Sequence, residues 1–248
     1  MRDMLFLPLD EKEDLVIVAD NVGAIGEKKY DAISVSYKEV AYYSLRVAMM
    51  EMLSIGAHPL SVVVSDFNGE SAWLLYEQGI ESVCLELGLE PLTIVGSSET
   101  NFPLMQSAVG FTLIGKVKKE AKRMGRTPRH ACIAVIGSPL VGQEVLEQSE
   151  KILPLSLFRK LLGEEGVYEL IPVGSKGIGH ELHVLMQLNG HDFSPGSTGL
   201  PLGKSAGPST CVLISYKVER ESVIRELCGE LFQPLTKKEK FSPNRREN

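Results

Sequence analysis

The alternation of short apolar runs with longer amphipathic stretches most strongly limits what this chain can fold into. In the first half of the chain, runs typical of β-strands occur at 15–19, 32–36, 61–67, 92–95 and 108–117. Helical patterns fall between them, at 38–55 and 71–87. Strands that alternate with helices of this length predict an α/β fold, in which helices pack on a sheet.

The clearest helical pattern, at 38–55, contains one residue that does not fit a plain core helix. Its apolar stripe is followed by Gly56 and then Pro59, which predict where the helix stops. Glu51 borders that stripe, where an ionised carboxylate costs several kcal/mol unless it is paired or bound to a metal. Glu51 therefore either pairs with a basic residue such as Arg46 or binds a cation. The stripe consists of Ala41, Leu45, Ala48, Met52 and Ile55.

A second α/β pattern follows a polar and basic segment at 116–129. Helices are expected at 141–150, at 154–162 and from 180 onwards, and a long loop is expected at 189–209. Strands are expected at 131–136 and 210–216. The pattern predicts two α/β domains, residues 1–125 and 126–248, joined near the basic segment.

The composition argues against several functional classes for this chain. The net charge of −6 argues against a nucleic-acid partner, because proteins that bind nucleic acids are usually basic. No apolar run approaches the roughly 18 residues that a membrane-spanning helix needs. The four cysteines show no CxxC spacing, which is typical of the reducing cytoplasm. The basic tail at 237–246 is expected to be solvated.

Acidic residues recur where the predicted strands end. Asp20 follows the run at 15–19, Asp66 follows 62–65, and Glu99 follows the sequence IVGSS at 94–98. Each residue alone is typical of a turn or a cap, but hard oxygen ligands are what Mg²⁺ needs when it carries phosphates. We therefore predict a metal site formed by Asp20, Glu51, Asp66 and Glu99. The predicted nucleotide contacts beside these acids are Asn21, Gly96, Ser97, Ser98 and Thr100.

Two glycine-containing segments resemble phosphate loops. GKS at 203–205 has Thr198 where a P-loop needs its first glycine, which indicates an ordinary loop. GSKGIG at 174–179 lacks the glycine order of a dinucleotide site, but it precedes a helix whose amides can bind an anion. Gly174 and Gly177 are therefore candidate phosphate contacts, and Lys176 is a candidate to stabilise a transferred phosphoryl group. His180 is interpreted as a residue at a helix start.

The order of these motifs resembles that of the superfamily of aminoimidazole ribonucleotide synthetase. DNVGA at 20–24 is similar to the DGVG or GDDA loop, and MEMLSIGAHP at 50–59 is similar to NDI followed by GA-x-P. Asp66 with Phe67, and SSET at 97–100, resemble the Asp-Tyr strand end and the GGET motif. The turn at 174–179 resembles the glycine turn of the second domain. The similarity covers nearly the whole chain.

The resemblance implies a two-domain fold, with Mg-ATP and a small-molecule substrate in a cleft. It also implies a homodimer in which the N-terminal domains pair through their sheets. The metal ligands that it implies are Asp20, Glu51 and Glu99, joined by Asp66. The chain departs from the family at Met50, which replaces an Asn, and at Ser97 and Ser98, which replace two glycines.

Several branches of the superfamily carry signatures that this chain lacks. It has no N-terminal Cys/Lys glycine-rich segment, no C-terminal cysteine and no GDDAA sequence. By elimination, the resemblance favours the kinase that phosphorylates α-ribazole in cobamide salvage, a part of cobalamin biosynthesis. The alternatives are a ring-closing synthetase, an enzyme like thiamine-monophosphate kinase, and a nucleotide sensor without catalytic activity.

Overall fold

A computed structural model describes residues 4–193, 195–196 and 198–235. The basic tail predicted to be solvated lies outside the described residues. The first half of the chain contains the helices α1 (Tyr37–Ser54) and α2 (Trp73–Leu87). Its strands are β1 (Met4–Pro8), β2 (Glu13–Gly23), β3 (Ile25–Gly26), β4 (Ile33–Ser34), β5 (His58–Asp66), β6 (Thr93–Ser98) and β7 (Ala108–Lys118).

The N-terminal sheet has one covered face. Within the described residues, its strand order is β1-β2-β7-β5-β6, and β5 and β6 form the parallel pair among antiparallel neighbours. Alternate residues of β2 and β7 are buried, because side chains alternate between the two faces of a strand. Both helices pack on the buried face, while the other face stays partly exposed.

The second half builds a four-stranded antiparallel sheet in the described part of the chain, with the order β11-β8-β10-β9. The strands are β8 (Cys132–Ile136), β9 (Val167–Pro172), β10 (Val212–Tyr216) and β11 (Phe232–Leu235). The helices are α3 (Glu144–Glu147), α4 (Leu155–Gly163), α5 (Gly177–Asn189) and α6 (Glu221–Cys228). The mixed α/β architecture expected from the sequence is confirmed.

Helix α1 lies between the two sheets. It begins at a capping box, in which Ser36 accepts a hydrogen bond from the amide of Glu39 and the Glu39 carboxylate accepts one from Ser36. The pattern predicted one buried stripe, but Met49, Met50 and Leu53 outside it are buried as well. One apolar cluster runs from α1 into the C-terminal domain, so the second domain covers the remaining side of the helix.

The domains also meet through polar contacts. Glu86 of α2 accepts hydrogen bonds from the Tyr42 hydroxyl (2.5 Å) and from the Leu155 amide (2.8 Å) at the start of α4. In the connecting segment, Arg123 donates through Nη1 to the backbone carbonyl of Leu162 in α4. These contacts stabilise one arrangement of the two domains. The boundary at residue 125 stays a prediction.

Several local expectations are wrong. The helix expected at 141–150 shrinks to the single turn of α3 followed by a 3-10 turn, because the backbone leaves the helical region on both sides, at Gly142 (φ 64°) and at Gln148 (φ −129°, ψ 40°). The strand expected at 32–36 is only the two residues of β4. The sequence pattern did not indicate β1, β9, α6 or β11, which are short and gain stability mainly from their neighbours in the fold.

Candidate functional site

A cleft of about 630 Å³ opens between the two domains. Its N-terminal wall is formed by the end of β2, the loop that follows it and one side of α1. Its C-terminal wall is formed by residues 141–146, by the glycine turn before α5 and by residues 207–209. A cleft at a domain interface is a common location for a small-molecule site.

The ionised side chains in the described lining of the cleft are negatively charged. The described residues that line it include no lysine or arginine. The acidic side chains in the described lining are Asp20, Glu39, Glu51 and Glu181. Carboxylates that share a low-dielectric cleft repel one another, so such a lining favours a bound cation.

Asp20 lies on the helix-facing side of β2. The alternation along this strand points Val16, Val18 and Asp20 towards α1, where the Ser44 hydroxyl donates to Asp20 Oδ2 at 2.5 Å. Burial raises the pKa of the Asp20 carboxyl above its ordinary value, and the hydrogen bond from Ser44 opposes that rise. The carboxylate of Asp20 is therefore desolvated and held in one orientation.

Glu51 lies on the same side of α1 as Ser44. Seven residues separate them, which corresponds to two helical turns, so both side chains face the cleft. Arg46, which the sequence offered as a partner for Glu51, donates through Nη2 to the backbone carbonyls of Leu153 and Ser209. The structure therefore brings Asp20 and Glu51 to one cleft, and their role as metal ligands stays a prediction.

The C-terminal wall contains only part of the predicted glycine turn. Gly174 and Ser175 line the cleft, whereas Lys176 is exposed beside them and does not line it. Gly177 has a φ of +81°, and a Cβ there would lie 2.7 Å from the carbonyl oxygen of Leu202. Gly177 is thus required by a close backbone contact, independently of any ligand.

His180 and Glu181 also line the C-terminal wall, in the first turns of α5. The sequence interpretation placed His180 at a helix start and did not consider Glu181. The adjacent glycine turn was the available signal, because a helix that follows a turn at a domain face presents its first residues to that face. Sequence reasoning also missed Ser44 and Glu39.

Asp66 and Glu99 form a second acidic group, at the carboxyl ends of β5 and β6. Asp66 is buried and accepts hydrogen bonds from the Asn68 amide (2.8 Å) and the Tyr76 hydroxyl (3.1 Å). The amide of Glu99 donates to the Asp66 carbonyl at 2.8 Å. A hydrogen bond from the Asn101 amide lowers the pKa of the Glu99 carboxyl.

The two acidic groups are separate. The pairing register sets Asp66 opposite Val109 and Val109 opposite Val22, so Asp66 is two strands, about 10 Å, from β2. No group of three or more His, Cys, Asp or Glu residues among those described is arranged to hold a metal ion. The structure therefore divides the four predicted metal ligands into two groups, since the sheet keeps β2 and β5 apart, and the binding of metal by either group stays a prediction.

The segment expected to form a phosphate loop is largely strand. Gly96, Ser97 and Ser98 belong to β6, with Thr100 exposed beyond its end. A Cβ at Gly96 would lie 2.1 Å from the Val64 carbonyl oxygen, so packing against β5 explains this glycine. Asn21, by contrast, lines the cleft next to Asp20.

Comparison with known proteins identifies the fold. No protein-family model matches the sequence, and no curated protein is detectably similar to it in sequence. Thiamine-monophosphate kinase from Stenotrophomonas maltophilia K279a superimposes with a TM-score of 0.64 at 13% identity, covering 95% of this chain and 88% of that one. At this identity the similarity shows the fold alone.

Two further structures share the fold. AaThiL complexed with AMPPCP and TMP, a protein from Aquifex aeolicus, gives a TM-score of 0.59 at 13% identity, covering 95% of this chain and 84% of that one. Thermotoga maritima PurL complexed with ADP gives 0.59 at 12% identity, covering 95% of this chain but 42% of that one. The chain has the aminoimidazole ribonucleotide synthetase-like fold, as its motifs predicted.

Proposed function

We propose that this chain is an ATP- and Mg-dependent small-molecule kinase whose nucleotide binds in the cleft between the two domains. The observation that carries this proposal is the acidic lining of the cleft, which includes no lysine or arginine among the described residues. A triphosphate would be repelled there unless a divalent cation came with it. The fold supports the proposal, since the structures that share it include complexes with AMPPCP and ADP.

Asp20 and Glu51 are the proposed Mg²⁺ ligands in the cleft. Both present hard carboxylate oxygens, which are the donors that Mg²⁺ prefers, so the residues present fit the ion. Bound there, Mg²⁺ would neutralise charge on the phosphates. Ser44 keeps the Asp20 carboxylate oriented, and Asn21 and Gly174 are the proposed nucleotide contacts on opposite walls.

The role proposed for Lys176 is to place its ammonium group near the transferred phosphoryl group. It lies next to Ser175, which lines the cleft, and its exposed side chain is free to turn towards a ligand. Phosphoryl transfer depends mainly on positioning and on electrostatic stabilisation, so a flexible cation at the cleft edge suits this step. Gly177, with a φ of +81° that glycine adopts readily, lets the chain turn directly after Lys176.

The second acidic group remains a candidate for metal or phosphate contacts. Asp66 Oδ2 is buried and has no hydrogen-bond partner among the described residues, which leaves this oxygen able to accept from a ligand. Glu99 lies beside it at the end of β6. We keep these two acids, with Gly96, Ser97, Ser98 and Thr100, as a proposed secondary contact.

The proposed acceptor is a riboside, with α-ribazole of cobalamin biosynthesis as the first compound to test. The cleft lining mixes the phenol of Tyr43 and the hydroxyl of Ser209 with apolar Val40 and Val47. Such a lining can pack against a flat base and hydrogen-bond to sugar hydroxyls. Thiamine monophosphate is the matched competitor in a turnover panel.

Calorimetric titration of Mg-ATP tests the binding step. We expect the wild type to bind Mg-ATP and to bind ATP much more weakly when EDTA removes the cation. An absence of binding in the presence of Mg²⁺ would refute the kinase proposal. Phosphorus NMR of the products then separates a kinase, which yields ADP and a phosphorylated acceptor, from a synthetase, which yields ADP, free phosphate and a cyclised product. Binding without turnover would indicate a sensor.

We also propose that the protein is a homodimer in the cytoplasm. The uncovered face and edge of the N-terminal sheet expose apolar side chains, including Leu5, Leu7 and Val95, and pairing of two such sheets would remove them from water. No described helix is both long and apolar enough to cross a membrane. Light scattering after size-exclusion chromatography measures the mass, and a monomer at micromolar concentration would contradict the dimer.

A further inference from the structure

Arg46 is a fully buried cation in the middle of α1. Its guanidinium group reaches out of the N-terminal domain, and Nη2 donates to the carbonyl oxygens of Leu153 and Ser209 (3.1 Å to Ser209). Both acceptors belong to the C-terminal domain. A single side-chain nitrogen therefore joins α1 to two backbone segments of the other domain.

The burial of this charge is costly. Loss of solvation lowers the pKa of the Arg46 guanidinium, and the nearby Tyr42 and Glu86 only partly offset that effect. The Arg46 Nε atom is buried without a hydrogen-bond partner among the described residues. A buried guanidinium whose hydrogen-bond acceptors are backbone carbonyls is often no more stabilising than an apolar side chain of similar size. Stability alone therefore gives no reason to place an arginine here.

One of the two carbonyls that Arg46 contacts belongs to a residue that lines the cleft. Ser209 lines the cleft and has an unusual φ of +50° for a residue with a side chain. The following Thr210 donates through its hydroxyl to the Ser138 carbonyl (2.8 Å) and accepts from the Leu140 amide (3.0 Å). The Leu153 amide donates to the Thr210 carbonyl at 2.9 Å. Arg46 thus binds where three backbone segments of the C-terminal wall meet.

Helix α1 also contacts the N-terminal wall of the cleft. Ser44, two residues before Arg46, donates to Asp20 at the end of β2. Helix α1 therefore carries one contact to each wall, through Ser44 on one side and Arg46 on another. A rigid helix with both contacts determines the distance between the walls.

We infer that Arg46 is a positioning residue, which holds the wall at 207–209 against α1 and so sets the width of the cleft. The inference that this width serves nucleotide binding rests on the proposed function, whereas the positioning itself does not. Arg46 does not line the cleft, so it acts through Ser209 and not by touching a ligand. A preformed wall lowers the ordering cost of binding.

Amide hydrogen exchange of the unliganded protein tests the positioning. We expect Arg46→Met to speed exchange at the amides of Leu153 and Thr210 by about tenfold, and Arg46→Lys, which restores a donor, to recover most of the protection. The matched control is Arg123→Met. Arg123 also donates to a C-terminal backbone carbonyl, that of Leu162, but does not line the cleft.

Unchanged exchange at Leu153 and Thr210 in Arg46→Met would overturn the inference, and so would an equal increase in Arg123→Met. If Arg46→Met does not fold, Arg46→Gln, which keeps a shorter neutral donor, is measured in its place with the same expectation. Calorimetry adds the link to function. We expect Mg-ATP affinity to fall about tenfold in Arg46→Met and to stay within about twofold in Arg123→Met.

Hydrogen exchange and calorimetry together distinguish a failure of the proposed function from a failure of the positioning inference. If the wild type does not bind Mg-ATP, the proposed function is refuted, and the exchange result still decides whether Arg46 positions the wall. If the wild type binds and Arg46→Met binds equally well, the wall does not serve nucleotide binding, and that part of the inference is overturned.

Discussion

Two aspartates at opposite ends of strand β2 show how the same residue is used in two ways. Asp14 and Asp20 both face the helix side of the sheet, six residues apart. Lys122 Nζ lies 2.5 Å from Asp14 Oδ2, and Lys119 Nζ lies 3.6 Å from Oδ1. These lysines lower the pKa of the Asp14 carboxyl. At the other end, burial raises the pKa of Asp20, and a hydroxyl is its side-chain donor.

We interpret this difference as that between a structural carboxylate, Asp14, and a carboxylate that we propose binds a cation, Asp20. The charge of Asp14 is neutralised by the protein itself, so it fastens β2 to the segment after β7. The charge of Asp20 is desolvated in an acidic cleft, where the described lining supplies no lysine or arginine. A residue in the second situation gains most from a cation brought by a ligand.

The largest predicted effect is that of Asp20→Asn on nucleotide affinity. We expect Mg-ATP binding to weaken about 100-fold, because a carboxylate ligand of the cation is lost. The thermal unfolding midpoint should stay the same or rise, since the variant removes a desolvated charge but keeps an acceptor for Ser44. Calorimetry and thermal unfolding measure the two quantities.

Asp10→Asn is the matched control, because Asp10 is an exposed turn residue whose carboxylate accepts from the Lys12 and Glu13 amides. It should leave Mg-ATP affinity unchanged. Equal affinities for Asp20→Asn and the wild type would mean that Asp20 is structural, like Asp14.

The second prediction concerns Asp14, where we expect a substitution to lower stability and to leave nucleotide affinity nearly unchanged. Asp14→Asn should lower the unfolding midpoint, because Lys122 loses its charged partner in a buried position, while Mg-ATP affinity should stay within about twofold of the wild type. Urea unfolding gives the stability and calorimetry gives the affinity. A loss of affinity larger than that of Asp20→Asn would contradict the division of roles along β2.

A smaller effect is expected at the second acidic group. Glu99→Gln should weaken Mg-ATP binding by less than about tenfold, because Glu99 lies outside the cleft lining. Asp66→Asn should cost about 1 kcal/mol in stability, since the Tyr76 hydroxyl would lose its charged acceptor. An effect of Glu99→Gln as large as that of Asp20→Asn would place the cation at the end of β6.

The smallest predicted effect is the pH dependence of stability. The folded pKa of Asp14 is lowered, so its stabilising contribution is present above about pH 4 and is lost as the pH falls through the folded value. The folded pKa of Asp20 is raised, so stability declines as the pH rises through the interval just above 3.8. Asp14→Asn and Asp20→Asn should each remove one of these opposite slopes.

Urea midpoints measured from about pH 3 to 7 test both signs. If Asp14→Asn and Asp20→Asn both change the pH dependence of the urea midpoint in the same direction, groups other than these two aspartates dominate that dependence. Asp10→Asn should change the profile in the same direction as Asp14→Asn, because the Glu13 and Lys12 amides lower the pKa of the Asp10 carboxyl as well.

The sequence drew attention to individual residues but did not predict how the fold would group them. Asp20 and Glu51 stand out in the sequence because each places a carboxylate next to apolar residues that are predicted to be buried. Asp20 follows a strand, and Glu51 borders an apolar stripe. Gly96 was interpreted as part of a phosphate turn, yet it packs against Val64 within β6. The contact that requires this glycine comes from a strand more than 30 residues away, which no local pattern contains.

The same reason explains what was missed in the C-terminal domain. His180 and Glu181 line the cleft only because α5 begins at the interface between the domains. Their local sequence looks like an ordinary helix start. Arg46 likewise falls on a helix with a clear apolar stripe, and only the second domain supplies the carbonyls that it contacts.

The sequence by itself determined the alternation of strands and helices, the layer of helices on a sheet and the positions of the acids along the chain. These properties follow from side-chain periodicity, which acts over a few residues. Only the tertiary structure decided which acids share a cleft, because that depends on strand order and on the packing of the second domain. Asp20 and Asp66 are both acids at strand ends of the N-terminal domain. In the fold they lie on β2 and β5, and β7 lies between these two strands.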